Sequence, residues 1–316
     1  MGVMVEGQWR AGDGWASEDG QFHREAARFR CAIGGGDHPP AADRYHLYVS
    51  LACPWAHRTL IFRKLKGLEQ VIPVTVVHPH MLEQGWMFDP EPEPLYGLNH
   101  LHELYAKAKP DYTGRVTVPV LWDKVSETIV CNESAEIIRM FNSAFDVFTG
   151  NTADFYPEAL RREIDTVNEF VYDRINNGVY KCGFATRQAV YEKAYAALFE
   201  ALDEIESRLS RNRYLVGDCL TEADWRLFTT LLRFDAVYYG HFKCNRNRIA
   251  DMPNLWGYVR ALYQYPGIAE TVDFVHIKQH YYYSHAKINP TRIVPKGPQI
   301  DFHAPHDGYP GKKSIG

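Results

Sequence analysis

The stretch Ser50-Leu51-Ala52-Cys53-Pro54-Trp55-Ala56-His57-Arg58 lies between an apolar run, Tyr45 to Val49, and a helical pattern that begins at Thr59. The apolar run predicts a β-strand, and Pro54 stands where a helix takes its first turn, so Cys53 is predicted at a strand-to-helix turn. Backbone N–H groups and the positive end of the helix favour a thiolate there, and the thiolate is the nucleophilic form. Cys53 is therefore either a reactive thiol or a packed structural cysteine, and this stretch alone leaves both readings open.

Length and composition indicate a globular protein of two domains. The chain has 316 residues, and 46% of them are hydrophobic, which is enough for two buried cores. A net charge of -4, from 35 basic and 39 acidic residues, gives no reason to expect a polyanion, so we expect no nucleic-acid partner. Residues 1–10 lack the pattern of an export signal, and no apolar run reaches the length of a membrane span. We therefore expect no membrane partner either.

The six cysteines are spread thinly along the chain and form no close pairs. This usage is typical of a reducing compartment, so we expect a cytoplasmic protein. Three residues after Cys53, where a dithiol motif would have its second cysteine, the chain has Ala56. A mixed disulfide at Cys53 would therefore need an outside thiol to resolve it.

The first half of the chain reads as an α/β domain behind an irregular extension. Residues 1–43 are rich in Gly and Pro and show little periodicity, with short strands conceivable near Phe22 and Phe29. A βαβ unit is then predicted, because a strand at Tyr45 to Val49, a helix over residues 59–66 and a strand over residues 72–77 follow in order.

A long segment and a second pair of strands complete this predicted domain. Residues 78–114 are rich in Pro, Gly, Asp and His, and such an insertion in a compact domain is more often functional than idle. Residues 116–123 form an apolar run with Pro119 in its middle, which indicates an edge, a bulge or a special turn before the strand. A strand over residues 128–131 follows, and Asn132 is a plausible N-cap of the next helix.

From about residue 151 the pattern becomes helical. Apolar residues recur at helical spacing from Leu160 to Ile175, and Asn177-Gly178 predicts the end of that helix. Thr221 and Asp224 predict a capping box. Further helices are expected over residues 186–209, 254–263 and 271–283, and a surface coil over the last thirty residues. We therefore predict an α/β plus all-α protein, with domains at residues 1–150 and 151–316.

This order of elements, with a Cys-Pro turn after the first strand of the βαβ unit, resembles a thioredoxin-like glutathione transferase with a helical C-terminal domain. Several motifs resemble, more narrowly, the glutathionyl-hydroquinone reductases, also called Xi-class transferases. The resemblance spans residues 45–298, and its motifs are Cys53-Pro54-Trp55-Ala56-His57-Arg58, Gly85-Trp86-Met87-Phe88-Asp89, Arg115-Val116-Thr117-Val118-Pro119-Val120-Leu121-Trp122-Asp123, Asn132-Glu133-Ser134, His280-Tyr281-Tyr282-Tyr283-Ser284-His285 and Ile288-Asn289-Pro290-Thr291. Glutathione transferases at large lack the late tyrosine-rich segment.

The resemblance implies specific roles for individual residues. Cys53 matches the catalytic thiol of the family. The positions that hold glutathione in the family are Trp86, Arg115, Val118, Glu133 and Ser134. Val118 precedes a proline that is expected to be cis in this fold, which would free its backbone to pair with the cysteinyl part of glutathione. Glu133 and Ser134 open a helix, where N–H groups can bind the γ-glutamyl carboxylate while Glu133 accepts its ammonium.

Two tyrosines match residues that line the aromatic pocket in the family, namely Tyr180 and Tyr281. Tyr281, Tyr282 and Tyr283 are consecutive on a predicted helix, so they cannot all face one pocket. His276, His280 and His285 have a spacing that could suggest a metal site. We expect no metal, because a structural role is commoner for histidines with such spacing.

The implied reaction is the reduction of an S-glutathionyl-hydroquinone, chlorinated or not, with glutathione as co-substrate. The expected partners are glutathione and aromatic glutathionyl conjugates, and the family suggests a homodimer. Two alternatives stay open on the residues alone. One is a glutaredoxin-like or dehalogenating thiol transferase, and the other is a transferase relative that binds aromatic ligands without turnover.

Overall fold

The computed structural model describes residues 2–12 and 19–306. Within these ranges the chain divides into two compact units, and each is described by itself. The first unit comprises residues 2–12, 24–153 and 273–284, and the second comprises residues 19–23, 154–272 and 285–306. The domain boundary near residue 150 stays a prediction.

A four-stranded mixed sheet forms the centre of the first unit. Its strands are β3 (Tyr45–Val49), β4 (Val74–Val76), β5 (Val120–Asp123) and β6 (Thr128–Cys131), in the order β4-β3-β5-β6. Strand β3 runs parallel to β4 and antiparallel to β5, so the predicted βαβ unit is confirmed. All five residues of β3 are buried, as expected for a central strand that is covered on both faces. The strand predicted over residues 128–131 has the bounds of β6.

The helix after β3 begins earlier than the sequence pattern predicted. Helix α1 (Pro54–Leu65) starts at the proline itself, with Cys53 as its N-cap. The first turn of α1 is buried on all sides and therefore shows no amphipathic period. For this reason the sequence pattern predicted a later start, at residue 59. Cys53 therefore lies directly at the helix start.

A β-hairpin that the sequence analysis did not predict precedes the sheet. Strands β1 (Gly2–Val5) and β2 (Gln8–Ala11) pair antiparallel through a two-residue turn. The turn residues Glu6 and Gly7 have φ values of 49° and 74°, as in a type I′ turn. The short strands expected near Phe22 and Phe29 are only isolated bridges in the described chain.

The hairpin contacts the long segment of residues 78–114 close to the beginning and at the end of that segment. The indole Nε1 of Trp9 donates to the carbonyl oxygen of Glu83 at 2.9 Å. Met4 and Gly114 exchange two backbone hydrogen bonds of 2.9 Å. The segment also contains a helix that was not predicted, α2 (Leu101–Ala108).

The prediction that Asn132 caps the next helix was wrong. Helix α3 (Ser134–Ser143) has Glu133 as its N-cap, and the carboxylate of Glu133 accepts a hydrogen bond from the Ala135 N–H at 3.0 Å. The Asn132 side chain accepts instead from the backbone N–H of Phe29 at 3.2 Å. A short helix, α4 (Asp146–Thr149), follows.

The second unit contains the main helices of the latter half of the chain. They are α5 (Arg161–Val171), α6 (Gly178–Gly183), α7 (Gln188–Leu209), α8 (Glu222–Arg233) and α9 (Pro253–Tyr263). The predicted capping box at the start of α8 is confirmed, and the Thr221 N–H donates to the Asp224 carboxylate at 2.8 Å. Burial raises the pKa of Asp224 to about 6.

The prediction that Asn177-Gly178 ends a helix was wrong. A π-helical turn (Tyr172–Asn176) joins α5 to α6, and α6 begins at Gly178. Asn177 has helical dihedral angles, with φ of -79°, and not the left-handed ones of a helix end. A Cβ atom at Gly178 would lie 3.2 Å from the Leu198 side chain, so the glycine allows α6 and α7 to approach closely.

The late part of the chain returns to the first unit. Helix α10 (Phe274–Lys278) continues into a π-helical turn (Gln279–Tyr283). Residues 287–306 contain neither helix nor strand, as predicted for the terminal coil, and residues 307–316 lie outside the described residues. Among the helices that the structure describes, none is long and apolar enough to cross a membrane.

Candidate active site

Cys53 lies at the turn between β3 and α1, partly exposed and in contact with two backbone groups. The N–H of Ala56, in the first turn of α1, points to the Cys53 sulfur at an N···S distance of 3.5 Å. The sulfur also lies 3.6 Å from the carbonyl oxygen of Val118. A donor N–H at a helix N-terminus stabilises negative charge, so this position suits a thiolate nucleophile.

The contact between Cys53 and Val118 brings the Pro119 turn to the thiol. The peptide bond between Val118 and Pro119 is cis, as predicted, and strand β5 begins at the next residue. Pro119 therefore lies in a special turn directly before the strand. This is one of the three positions predicted for it, because proline has no N–H to donate within a sheet.

Glu133 and Ser134 form a polar group at the start of α3. The Ser134 hydroxyl lies 3.5 Å from the Glu133 carboxylate, and it accepts a hydrogen bond from the Arg58 guanidinium at 3.4 Å. Arg58 is almost fully buried, at 1% exposure. Arg58 lies on α1, five residues after Cys53. The same helix therefore has Cys53 at its start and contacts Ser134 through Arg58. Arg58 belongs to the Cys-Pro-Trp motif, but no role was predicted for it.

Trp86 lies in a different part of the first unit, against the late tyrosine-rich segment. Its ring stacks on His280 with a centroid distance of 4.9 Å. The His280 ring in turn makes an edge contact with Tyr281 at 5.2 Å. The structure therefore brings the candidate glutathione residue Trp86 and the candidate pocket residue Tyr281 to the same imidazole.

The three consecutive tyrosines have different environments, as the sequence predicted. Tyr281 is buried, at 1% exposure, whereas Tyr282 and Tyr283 are only partly buried. Tyr283 stacks on His80 at 3.9 Å between ring centroids. Tyr281 is thus the one tyrosine of the three that is fully within the core of this unit.

Arg115 is a partly buried cation next to an acidic side chain. Its Nε lies 3.7 Å from the Glu25 carboxylate. Burial is the main cause that lowers the pKa of Arg115 below its ordinary value. Two other arginines of this unit border the Trp55 ring, with guanidinium carbons 3.7 Å (Arg24) and 5.9 Å (Arg58) from its centroid.

Ser50 and His276 support the turn that carries Cys53, and this role was not predicted from the sequence. The Ser50 carbonyl accepts from the Cys53 N–H at 3.1 Å, and the Ser50 hydroxyl accepts from the Ala52 N–H at 3.2 Å. The His276 Nε2 lies 3.3 Å from this hydroxyl. More than two hundred residues separate the pair, so no local pattern could have revealed it.

Tyr180 belongs to the second unit, where it is part of an aromatic cluster on α6. Its ring lies 5.4 Å from Phe242 and 5.7 Å from Phe22. The side chain stays partly exposed. Its role in the aromatic pocket stays a prediction.

The three late histidines have three different partners. His276 lies near Ser50, and the Nδ1 of His280 lies 2.9 Å from the carbonyl oxygen of Pro79. His285 belongs to the second unit, where its Nδ1 lies 3.1 Å from the Nε2 of His241. Burial lowers the pKa of His241 to about 4.

Comparison with known proteins places the chain in a family. Residues 52–144 match the family described as "Glutathione S-transferase, N-terminal domain", and residues 188–261 match "Glutathione S-transferase, C-terminal domain". The chain is 54% identical to Glutathionyl-hydroquinone reductase YqjG of Escherichia coli K12, over 97% of this chain and 98% of the relative. The chain belongs to the glutathionyl-hydroquinone reductases, the Xi class of glutathione transferases.

Other Xi-class proteins agree with this assignment. Glutathionyl-hydroquinone reductase PcpF of Sphingobium chlorophenolicum is 50% identical, with 94% of this chain and 96% of the relative aligned. The solved Xi-class transferase of Natrialba magadii superposes with a TM-score of 0.92 at 50% identity and covers 98% of both chains. The glutathione-bound structure of YqjG gives a TM-score of 0.87 at 54% identity, covering 96% of this chain and 98% of that one. The predicted fold class, thioredoxin-like N-terminal domain and helical transferase C-terminal domain, is confirmed.

Proposed function

We propose that this Xi-class transferase reduces S-glutathionyl-hydroquinones to hydroquinones, with glutathione as the reductant and Cys53 as the nucleophile. The observation that carries the proposal is the position of the Cys53 sulfur, at the N-cap of α1 with the Ala56 N–H directed to it. Relatives at 50% identity or more, YqjG and PcpF, bear the name of this activity.

In the first step the Cys53 thiolate attacks the sulfur of the glutathionyl conjugate. An S–S bond forms between Cys53 and glutathione, and the bond between that sulfur and the aromatic carbon breaks. The electron pair leaves with the ring, which takes up a proton and departs as the free hydroquinone. Because an aryl carbanion is a poor leaving group, proton delivery to the ring is part of this step.

In the second step a glutathione thiolate attacks the mixed disulfide at its glutathione sulfur. Oxidised glutathione forms, and the Cys53 thiolate is released. The ring has been reduced and two glutathione sulfurs have been oxidised, so the electrons balance without another reductant. Ala56 occupies the position of a second cysteine in a dithiol motif, which supports glutathione as the resolving thiol.

Five residues of the first unit are proposed to hold glutathione. Glu133 and Ser134 bind the γ-glutamyl end, because the start of α3 offers N–H groups for its carboxylate and Glu133 offers a negative charge for its ammonium. The Val118 backbone pairs with the cysteinyl part, close to the Cys53 sulfur. Trp86 and Arg115 are included because they match positions that hold glutathione in the family.

The ring end of the substrate is assigned to Tyr180 and Tyr281. Their phenol groups hydrogen-bond the hydroxyls of the hydroquinone and guide the proton to the departing ring. The proposal chooses Tyr281 over its two neighbours because Tyr281 is buried beside His280, the residue on which Trp86 stacks.

We further propose a cytoplasmic homodimer. All six cysteines lie within the described residues and none of them forms a disulfide there, which supports a reducing compartment with abundant glutathione. The dimer rests on the family resemblance. Light scattering coupled to size exclusion tests it, and a monomeric mass at micromolar concentration would contradict it.

The test of the activity compares wild type with Cys53→Ala in the glutathione-dependent reduction of several S-glutathionyl-hydroquinones. The variant should lose turnover. Mass spectrometry of wild type after one equivalent of substrate, without added glutathione, should find one glutathione adduct at Cys53. The matched control is Cys31→Ala, which removes an exposed thiol of the same unit and should leave turnover unchanged.

A conjugation assay with an aryl halide runs beside this test. Retained reduction by Cys53→Ala would overturn the mechanism. Binding of the conjugate without turnover by wild type would favour the ligand-binding alternative. Preferential turnover of simple mixed disulfides or of halogenated aromatic compounds would favour the glutaredoxin-like or dehalogenating alternative.

A further inference from the structure

The first turn of α2 brings together three side chains that can bind a metal ion. His100 is the N-cap of the helix, and His102 and Glu103 lie in its first turn. One ligand atom from each of these residues lies within 4.8 Å of the others, and within residues 2–12 and 19–306 no other trio of His, Cys, Asp or Glu meets this condition. The sequence analysis did not consider these residues.

One of the three side chains has a polar atom without a hydrogen-bond partner. The Nε2 of His102 is buried and has no such partner. An unpaired buried nitrogen is unfavourable, and native proteins seldom keep one without a use for it. An imidazole nitrogen is a common zinc ligand, so a metal ion would supply the partner that this nitrogen lacks.

The surrounding structure holds the three side chains in place. The His102 ring is stacked between Trp9 at 4.9 Å and His100 at 5.2 Å. The backbone N–H of Asn99 donates to one oxygen of Glu103 at 3.0 Å, and the other oxygen lies 3.5 Å from the His100 Nδ1. These contacts orient the ligands before an ion binds, which lowers the cost of binding.

We propose that His100, His102 and Glu103 form a Zn²⁺ site at the start of α2, separate from the thiol chemistry at Cys53. Two imidazoles and one carboxylate are a ligand set that zinc accepts, with a fourth position left for water. Zinc bond lengths of about 2.1 Å require the ligand atoms to close to about 3.4 Å of one another. Small rotations of His100 and Glu103 supply this movement, because both side chains are partly exposed.

The cluster borders a cavity that is open to solvent. His102 and Glu103 line a surface cavity of about 500 Å³, together with Trp9 and Gln84. An ion can therefore enter without unfolding, and a water or a small anion can complete its coordination. The α2 macrodipole disfavours a cation at this end, but its effect is small beside three metal–ligand bonds.

The experiment titrates metal-free protein with Zn²⁺ in thiol-free buffer against a chromophoric chelator. Wild type should bind one Zn²⁺ at this site, and His102→Ala should weaken that binding more than about tenfold. Glu103→Gln should also weaken it, and this variant keeps an oxygen for the Asn99 hydrogen bond. Thermal unfolding of each variant verifies that the fold persists.

The matched control is His78→Asn. His78 belongs to another imidazole pair, with His80 at 4.9 Å between centroids and the Asp89 carboxylate 3.7 Å away, but this group does not meet the metal-site distances. The affinity of the His78→Asn variant for Zn²⁺ should equal that of wild type. Co²⁺ provides a spectroscopic test, since a nitrogen and oxygen site shows weak visible bands without an intense thiolate charge-transfer band.

Equal Zn²⁺ affinity of wild type, His102→Ala and Glu103→Gln would overturn the proposal. A Co²⁺ spectrum dominated by thiolate charge transfer would also overturn it, because the ion would then be bound by cysteine. Neither result affects the proposed reductase activity, which is measured separately and uses no metal.

Discussion

The sulfur of Cys53 lies 3.6 Å from the carbonyl oxygen of Val118. A carbonyl oxygen accepts a hydrogen bond from a thiol but repels a thiolate, whereas the Ala56 N–H on the same sulfur stabilises the thiolate. The two contacts therefore favour different protonation states of one atom. When glutathione pairs with the Val118 backbone, as proposed, the balance at the sulfur shifts toward the nucleophilic form.

The absence of a second thiol after Cys53 gives a first prediction. Ala56→Cys should convert the turn to a dithiol, and its new thiol should attack the mixed disulfide faster than free glutathione because it is tethered. After one equivalent of substrate, mass spectrometry should find a loss of two hydrogens in place of the glutathione adduct. Ala56→Ser, of similar size, is the control and should keep the adduct. A stable glutathione adduct in Ala56→Cys would contradict the prediction.

A second prediction concerns Glu133 at the start of α3. Glu133→Gln keeps an oxygen for the Ala135 N–H but removes the charge that is proposed to bind the γ-glutamyl ammonium. Since a hydrogen bond to a charged group contributes about 1.5–3 kcal/mol, glutathione affinity should fall about 10- to 100-fold. Calorimetric titration with S-methylglutathione measures this loss.

The control for Glu133 is Glu136→Gln, in the first turn of the same helix. Glu136 pairs with Arg30, and we propose no contact between Glu136 and glutathione. The affinity of Glu136→Gln for S-methylglutathione should be close to that of wild type. Equal losses in both variants would mean that the charge of the helix start, and not Glu133 itself, governs binding.

A third prediction concerns the stability of the sheet through Asp123. Burial alone would raise the pKa of this carboxyl, but hydrogen bonds from Arg44, His38 and the Val125 N–H outweigh it and hold the pKa well below its usual range. Such a group stabilises the fold above its ordinary pKa, and the stabilisation is lost as the pH falls toward the folded pKa.

Asp123→Asn should therefore lower the free energy of unfolding by about 3 kcal/mol at pH 7. The difference from wild type should shrink as the pH falls below about 4, because the unfolded carboxyl then takes up a proton. Denaturant titrations at several pH values measure both effects. The control Asp43→Asn removes an exposed carboxylate beside Lys124 and should cost little. A difference for Asp123→Asn that is independent of pH would refute the argument.

A fourth prediction uses the buried imidazole of His46. Burial lowers the pKa of His46 to about 4, and its Nε2 lies 2.7 Å from the Thr75 hydroxyl. The unfolded chain therefore takes up this proton first as the pH falls below about 6.5, and stability decreases down to about pH 4. His46→Gln should reduce the slope of unfolding free energy against pH by at most about 1.4 kcal/mol per pH unit in this window. The exposed His23 provides the control, His23→Gln, and equal slopes in both variants would be the contrary result.

The strands and caps that local chemistry dictates were predictable from the sequence. Strand Tyr45–Val49 is apolar at four of its five positions, and Thr128–Cys131 follows a turn, so both have their predicted bounds. The α8 capping box depends only on Thr221 and Asp224, three residues apart. Such features are set by residues that are close in the chain.

Features that depend on distant residues were missed. Helix α2 has only eight residues and no side-chain cap, so its pattern of Leu101, Leu104 and Tyr105 was lost in a polar segment. Gly178 reads as a helix stop, yet its missing side chain serves the approach of Leu198 from α7. Local propensity was overridden by packing in both cases.

The candidate site shows the same division. The Cys-Pro turn at a helix start follows from a short motif, and the cis proline was expected from the family resemblance. The N-cap of α3 was predicted one residue too early. The contacts of Arg58 with Ser134 and of His276 with Ser50 join distant parts of the chain, and neither was predicted. Tyr180 keeps its role only as a prediction.

The amino-terminal hairpin has a practical consequence for anyone who shortens the protein. Trp9 leaves no room for a side chain at Gly85, since a Cβ atom there would lie 2.9 Å from its ring, and Met4 is paired with Gly114. The neighbours of these two glycines are Trp86 and Arg115. Trimming the first dozen residues as a dispensable tail would therefore release the segment that contains Trp86 and ends next to Arg115, two of the proposed glutathione contacts, although the cut itself lies far from Cys53 in the sequence.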